Sequence, residues 1–345
     1  MTFKQSNLFK QMALVFSFTL AACQPATESQ VSQQRPNSTE SQDKKIETKQ
    51  ADSVYLFSSF RGNGEGGLHL AYSRDALNWT ALNQDKSILK PQVGGKLMRD
   101  PCIIQGPNGE YHMVWTSSWE DGGIGIAHSK DLLNWSEQTF IPTMADFPTA
   151  KNAWAPEIFW DDKTQQYIIF WASTIPGSYP ETEAKADKGW DHRMYAVTTK
   201  DFETYSDTFL YLQPDFNVID STIISVDDKY IMILKDETRY PPEKNLRVAV
   251  AESIMGPWQV DEKPFTPEGV WVEGPTIAEH QGWHYVYYDE YTNHEYGAMR
   301  TQDFKNWELV SEKLSMPEGS RHGTILEVSQ ATLNALISSL EKTDS

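Results

Sequence analysis

Five short segments carry a polar side chain near the start of a run of apolar residues. They are Asp100 in MRDPCII, Glu157 in WAPEIFW, Asp220 in VIDSTII, Glu273 in VEGPTIA and His322 in RHGTILEV. Carboxylates at matching places in a repeated unit converge if the repeats close into a ring. Several carboxylates sharing a sparsely solvated funnel repel each other, which raises one pKa and leaves another group ionised. Two such groups in opposite protonation states can act as acid and base on one bond. An Asp before a Pro is also a common turn cap, so the joint pattern carries this reading and no single segment does.

The elements around them are strands. Residues 98–115, MRDPCIIQGPNGEYHMVW, read as a strand, a Pro-Asn-Gly turn and a second strand of aromatic and apolar residues. The same grammar begins again at Trp154, Val218 and Val272, and a fifth first strand begins at Arg321 with no partner after it. A second unit recurs between these: GLHLAYSRDALNW, IGIAHSKDLLNW, RMYAVTTKDFETY, RVAVAESIMGPW and YGAMRTQDFKNW. In four copies an Asp precedes an aromatic anchor by four residues: Asp75/Trp79, Asp131/Trp135, Asp201/Tyr205 and Asp303/Trp307. The remaining copy keeps Trp258, with Ile254 in the Asp place.

Anchor intervals of 56, 70, 53 and 49 residues fit four-stranded propeller blades. The long second interval holds an insertion at 175–192, rich in Pro, Gly and charge, expected as a loop over one face. The expected fold is an all-β, five-bladed propeller over residues 53–328. Four blades lie near 98–138, 152–208, 217–260 and 271–310. The fifth is split, with its inner strand at 321–328 and outer strands at 54–60 and 68–79. Pairing the chain's two ends this way leaves no open-edged blade. Leu333, Leu336, Ile337 and Leu340 give the tail at 329–345 a helical spacing, expected to pack outside the ring.

The formal net charge of −18 excludes the basic face that a nucleic-acid partner requires. Aromatics make up 12% of the chain, with 12 Trp, a composition that suits both core anchors and sugar stacking. Residues 1–23 read as a bacterial export signal: Lys4 and Lys10, an apolar run too short to span a bilayer, then Leu-Ala-Ala-Cys. That last motif resembles a lipobox, which implies cleavage before Cys23, a lipid on its sulfur and membrane contact through that anchor alone. Gln24 is not the Asp typical of inner-membrane retention, so the outer membrane is expected. Cys102 is then the one remaining thiol, read as inert and buried. Residues 24–52 lack aromatics and read as a tether. The expected state is a monomer.

At this point the chain resembles glycoside hydrolase family 43, or a close relative in the same five-bladed clan, over about residues 53–328. The resemblance rests on Arg99-Asp100-Pro101, Ile219-Asp220-Ser221 and Glu273-Gly274-Pro275. It implies a general base at Asp100, a pKa-tuning Asp220 and a general acid at Glu273, acting in one inverting step. In such a step the base activates a water, and the two carboxyls stand about 6.5–9.5 Å apart. Trp154-Ala155-Pro156-Glu157 resembles a pocket-lining segment. Arg321-His322-Gly323 resembles an axial His segment that in some members touches calcium. No cofactor is required by this reading, and an axial Ca²⁺ near His322 is its one metal expectation. His69, His112, His128, His192, His280, His284 and His294 form no recognisable metal spacing.

Phe60, Arg61, Trp119, Trp154, Tyr291, Lys235 and Arg239 follow strands expected to open on the mouth, and Arg99 and Arg321 flank the axis. Aromatics there suit sugar stacking. The cations suit an acidic sugar, or else simple pairing with the axial carboxylates. The resemblance favours an exo-acting enzyme on oligo- or polysaccharide, α-L-arabinofuranosidase before β-xylosidase or a galactofuranosidase. A glycan-binding propeller without catalysis is the alternative from another class. A retaining fructan hydrolase of family 32 type is disfavoured, because residues 57–66, FSSFRGNGEG, lack its Asn-Asp-Pro-Asn-Gly motif.

Overall fold

The computed structural model describes residues 53–343; the expected signal, Cys23 and the tether at 24–52 lie outside the described residues. The repeated Asp proves to be a turn device. Asp75 Oδ1 accepts the backbone N–H groups of Leu77 and Asn78 at 2.9 and 2.7 Å. Asp131, Asp201 and Asp303 accept the corresponding pairs in their own turns. The residue after each Asp takes a left-handed backbone: Ala76 at φ 61°, Leu132 at 67°, Phe202 at 58° and Phe304 at 57°. Such a conformation is unfavourable for residues with a Cβ, and the Asx hydrogen bonds offset it. These bonds hold Asp75 down at about 2 even though burial opposes them. Where Ile254 replaces the Asp, Gly256 supplies the left-handed residue at φ 80° and donates its N–H to Ser253.

Among the described residues, twenty strands form five antiparallel four-stranded sheets. The closing blade begins with β1 (Ser53–Ser59), β2 (His69–Ser73) and β3 (Thr80–Ala81). The first blade is β4 (Arg99–Gln105), β5 (Tyr111–Thr116), β6 (Ile124–Ser129) and β7 (Thr139–Ile141). The second is β8 (Trp154–Asp161), β9 (Gln166–Thr174), β10 (His192–Thr199) and β11 (Phe209–Leu212). The third is β12 (Val218–Val226), β13 (Lys229–Asp236), β14 (Asn245–Ala251) and β15 (Gln259–Val260). The fourth is β16 (Glu273–His280), β17 (Trp283–Glu290), β18 (Glu295–Thr301) and β19 (Glu308–Leu309). β20 (Thr324–Ser329) then pairs with β1, Val54 opposite Val328 and Leu56 opposite Leu326, so the two ends of the domain share one sheet. The five-bladed propeller is therefore the observed fold, with β4, β8, β12, β16 and β20 innermost and in contact around a closed circle.

One apolar cluster fills each blade–blade junction, because alternate residues of a blade face its neighbours. The junction of first and second blades, for example, buries Val114, Ile126, Ile158, Ile169 and Trp171. The repeat anchors belong to these seams. Trp79 packs edge-on against Tyr287 of the fourth blade, whose hydroxyl donates to Ala76 O at 2.6 Å. Between β9 and β10, the insertion at 175–192 holds the short α1 (Pro180–Glu183). The expected C-terminal helix is α2 (Gln330–Thr343), burying Leu333, Leu336 and Leu340 against the closing blade.

The seam that closes the ring leaves no space for a side chain at Gly323. A Cβ there would lie 1.7 Å from Ser58 O, a backbone atom that cannot swing away. Gly323→Ala should cost about 3 kcal/mol or more by overpacking, read as a lowered midpoint in urea unfolding. An unchanged midpoint would mean the seam is looser than described.

Candidate active site

Each of β4, β8, β12 and β16 carries one extra residue near its start relative to its partner strand. The register shifts fall between Arg99 and Cys102, Trp154 and Glu157, Ile219 and Ser221, and Glu273 and Thr276. Within each bulge one residue is left-handed: Asp100 at φ 51°, Ala155 at 48°, Asp220 at 48° and Gly274 at 58°. A bulge re-aims the side chain it carries, and Asp tolerates this conformation better than most residues. Gly274 meets a second demand. A Cβ there would lie 2.3 Å from the His322 ring, so glycine allows that ring to sit against the fourth blade.

These bulges correct the sequence register. Asp100 and Asp220 hold the left-handed bulge position on β4 and β12, Ala155 and Gly274 occupy it on β8 and β16, and His322 precedes β20, whose pairing has no such shift. Glu273 reaches the mouth from one residue earlier, the position held on β4, β8 and β12 by Arg99, Trp154 and Ile219. Glu157 stands two residues further in, a layer below the mouth. The extra residue leaves no trace in an apolar–polar pattern, so spacing alone misaligned the two glutamates.

The mouth is a cavity of about 350 Å³. It brings together nine of the expected residues: Arg99, Asp100, Trp119, Trp154, Asp220, Lys235, Glu273, Arg321 and His322. Phe60, Arg61, Glu157 and Tyr291 are not on its wall. Phe60 is buried beneath the Arg99 guanidinium, and Arg61 is held by Asp85 at 2.7 Å. Tyr291 lies under Lys235, whose Nζ is 4.8 Å from the ring. Arg239 instead stacks on Trp271 at 4.5 Å. Trp154 stacks on Trp190 of the insertion, their ring centres 4.7 Å apart, which places that loop beside the mouth.

Asp100 Oδ2 accepts the Thr116 hydroxyl at 2.8 Å, and Oδ1 lies 3.4 Å from His322 Nδ1. Burial alone would raise its pKa, but the His322 hydrogen bond and charge, with Arg99 and Thr116, bring it below the usual carboxylate value. Asp220 Oδ2 accepts the Gly274 N–H at 2.9 Å and lies 3.7 Å from the same His322 nitrogen. Burial, with the charges of Glu273 and Asp100, raises Asp220 to about 6 against the pull of His322 and Lys235. His322 is itself raised to about 9, because Asp220 and Asp100 outweigh its burial. At neutral pH it is a cation between two carboxylates.

That arrangement does not suit direct calcium ligation by His322. Its Nδ1 faces the Asp100 and Asp220 carboxylates at 3.4 and 3.7 Å, and among the described residues no group of three acidic, His or Cys side chains has metal-holding geometry.

Glu273 is gripped on both oxygens, Oε1 by Arg321 at 3.1 Å and Oε2 by Lys235 at 3.3 Å. Arg321 also pairs with Asp289 at 2.6 Å, and Lys235 with Glu237 at 2.6 Å. Lys235 is fully buried; burial would lower its pKa, yet Glu237 and Glu273 keep it well above its ordinary value. Gly62, Asn63, Thr116, Ala155, Ile219 and Glu237 also line the cavity and were not singled out from sequence. The glycine-rich Gly62-Asn63-Gly64 after β1 was the available signal for Asn63; Thr116 and Glu237 carried none.

Glu157 is buried below this layer and accepts the Thr324 and Thr222 hydroxyls at 2.8 and 3.1 Å. Burial raises it from 4.5 to about 7. The folded state then binds this proton more tightly than the unfolded chain. The resulting cost to stability is absent below about 4.5, grows as pH rises, and is complete above about 7. Glu157→Gln removes the charge and keeps a partner for either hydroxyl. Its stability relative to the unsubstituted protein should therefore improve between pH 5 and 8, by up to about 3 kcal/mol, measured by urea unfolding at both values. A constant difference would show that Glu157 does not titrate there.

Residues 51–334 match the model of the glycosyl hydrolase family 43-related domain, described as a probable glycosyl hydrolase domain. An α-L-arabinofuranosidase of Bifidobacterium longum subsp. longum is 22% identical over 211 residues, 54% of this chain. That stretch spans only about a fifth (20%) of the curated relative's length. Among solved structures, a thermostable family-43 glycoside hydrolase superposes with a TM-score of 0.50 at 15% identity, over 68% of this chain and 80% of that one. An α-L-arabinofuranosidase from Lactobacillus brevis gives 0.47 at 19% identity, over 62% and 72%. With the family match running from the first strand of the closing blade into its terminal helix, the protein belongs to the glycosyl hydrolase family 43-related domain family.

Proposed function

We propose that the protein is an inverting, exo-acting glycosidase with Asp100 as general base, Glu273 as general acid and Asp220 setting the field between them. The observation that carries this is the contrast between two aspartates of one cavity that both face His322, at 3.4 and 3.7 Å from its Nδ1. Asp100 is held below the usual value while Asp220 is raised to about 6. An ionised Asp100 can take a proton from the attacking water as Glu273 protonates the leaving oxygen. A cavity of about 350 Å³ is at the small end of ligand clefts, room for a terminal sugar rather than a long chain. Arabinofuranose is the first candidate sugar, supported by the name of the Bifidobacterium relative, with xylose and galactofuranose next.

One observation favours a second reading, a glycan-binding propeller without turnover. Both Glu273 oxygens are occupied by cations, so proton donation needs one of those contacts to yield when substrate binds. The test is hydrolysis by the full chain of aryl α-L-arabinofuranoside, β-D-xyloside and β-D-galactofuranoside, followed by plant and algal oligosaccharides. Turnover of any of them that is lost on changing Asp100 supports the hydrolase; saturable binding with no turnover supports the second reading.

A further inference from the structure

Four cations line the cavity: Arg99, Lys235, Arg321 and His322. Three are answered by carboxylates: Arg321 by Glu273 and Asp289, Lys235 by Glu237 and Glu273, and His322 by Asp100 and Asp220. Arg99 is not. Among the described residues no carboxylate lies within ion-pair distance of its guanidinium. Its hydrogen bonds are two long ones, from Nη1 to Asn63 O at 3.4 Å and to Asn63 Oδ1 at 3.5 Å.

The same guanidinium is held in place by its faces. It lies 4.6 Å from the Phe60 ring and 4.2 Å from the Trp119 ring. Trp119 is fixed in turn, its indole N–H donating to Asn63 Oδ1 at 2.9 Å and its carbonyl accepting the Trp154 indole N–H at 2.9 Å. A ring stacked on a planar guanidinium leaves its edge, the part that binds an oxyanion through two parallel N–H donors. Asp100 and Glu65 feel its charge from a distance without pairing with it, and a neutral sugar offers no group that needs a preordered arginine with no direct ion pair. In a chain of net charge −18, placing such a cation on a cavity wall is a specific feature rather than a general surface property.

We propose that Arg99 is a recognition site for an oxyanion on the substrate, so that the glycan taken by this cavity carries a uronate carboxylate or a sulfate ester on the ring that contacts it. This rests on the glycosidase reading for the identity of the cavity as a substrate site, and it narrows the substrate class from glycans in general to those that carry an anionic group. It also separates the two flanking arginines: Arg321 balances axial carboxylates and Arg99 does not.

The test is calorimetric binding of D-galacturonate, D-galactose 6-sulfate, D-galactose and L-arabinose to the full chain and to Arg99→Gln and Arg99→Lys. A charge-assisted bidentate contact should favour at least one anionic sugar over D-galactose by about tenfold or more. The preference should weaken with added salt, vanish in Arg99→Gln and persist in part in Arg99→Lys. Preference for galacturonate alone identifies a carboxylate site, and for the 6-sulfate alone a sulfate site. Equal or tighter binding of the neutral sugars, a preference unchanged by Arg99→Gln, or no binding of either anionic sugar overturns the proposal. Should Arg99→Gln lose its folded circular dichroism spectrum, Arg99→Lys decides, and a preference unchanged there counts against the proposal. Turnover of neutral aryl glycosides with no anion preference removes this inference and keeps the glycosidase. Anion-selective binding without turnover of any aryl glycoside or of any uronate- or sulfate-bearing oligosaccharide does the reverse.

Discussion

Asp100→Asn should lower kcat about 10³-fold or more, within the range by which a positioned acid or base accelerates a reaction. Asparagine is the informative replacement. Asp100 sits at φ 51°, where Asn is tolerated and Ala is strained, so the change removes the base without distorting the bulge. The amide oxygen can still accept the Thr116 hydroxyl. What it cannot do is take a proton from water. The substitution also removes one partner of the His322 imidazolium. With its folded pKa raised to about 9, His322 contributes stability that is complete below about 6.5 and lost as pH rises through about 9. The variant should therefore show its stability deficit at neutral pH and lose it in alkali. Steady-state kinetics on an aryl glycoside, with thermal melts at pH 6.5 and 9.5, check both parts. Activity within a few fold of the unsubstituted enzyme would remove Asp100 from the chemistry.

Glu273→Gln should have an effect of comparable size that depends on the leaving group. A proton donor matters most when the departing oxygen is a poor leaving group, so an oligosaccharide substrate should lose about 10²–10⁴-fold in kcat. A 2,4-dinitrophenyl glycoside leaves without protonation and should lose far less. The neutral amide also frees Arg321 and Lys235 from the carboxylate they now share. Arg321 retains Asp289 and Lys235 retains Glu237, so neither is left buried without a counter-charge and the variant should fold. Losses of equal size on both substrates would mean that Glu273 positions the sugar and does not donate a proton.

The ring was legible because its signals are repeated. One Asp-capped turn is ambiguous, but four in register with aromatic anchors fix a period, and a split fifth blade follows from an unpaired strand at each end. The three acids were legible for the same reason, each standing at the head of an inner strand. Their relative register was not, because a bulge adds one residue without changing the hydrophobic alternation that sequence reading relies on. Glu157 was therefore placed at the mouth, when its partners are Thr222 and Thr324 one layer below. The supporting shell was invisible for a different reason. Asp289 and Glu237 gain their meaning only from the cations they face: Asp289 meets Arg321 from a neighbouring blade, 32 positions away, and Glu237 lies just past the strand that carries Lys235, so neither pairing belongs to a motif. Arg61 and Tyr291 were placed by proximity to strand ends, and local partners draw them off the wall.

In a single inverting step Asp100 and Glu273 act together, one on the water and the other on the leaving oxygen. The measurement that bears on this most directly is proton NMR of the first sugar released from a glycoside that the full chain hydrolyses, recorded before mutarotation. A first-formed anomer opposite to that of the substrate is the predicted result. A first-formed anomer of the same configuration would require a covalent intermediate, and Asp100 could not then be the base that delivers water in a single step.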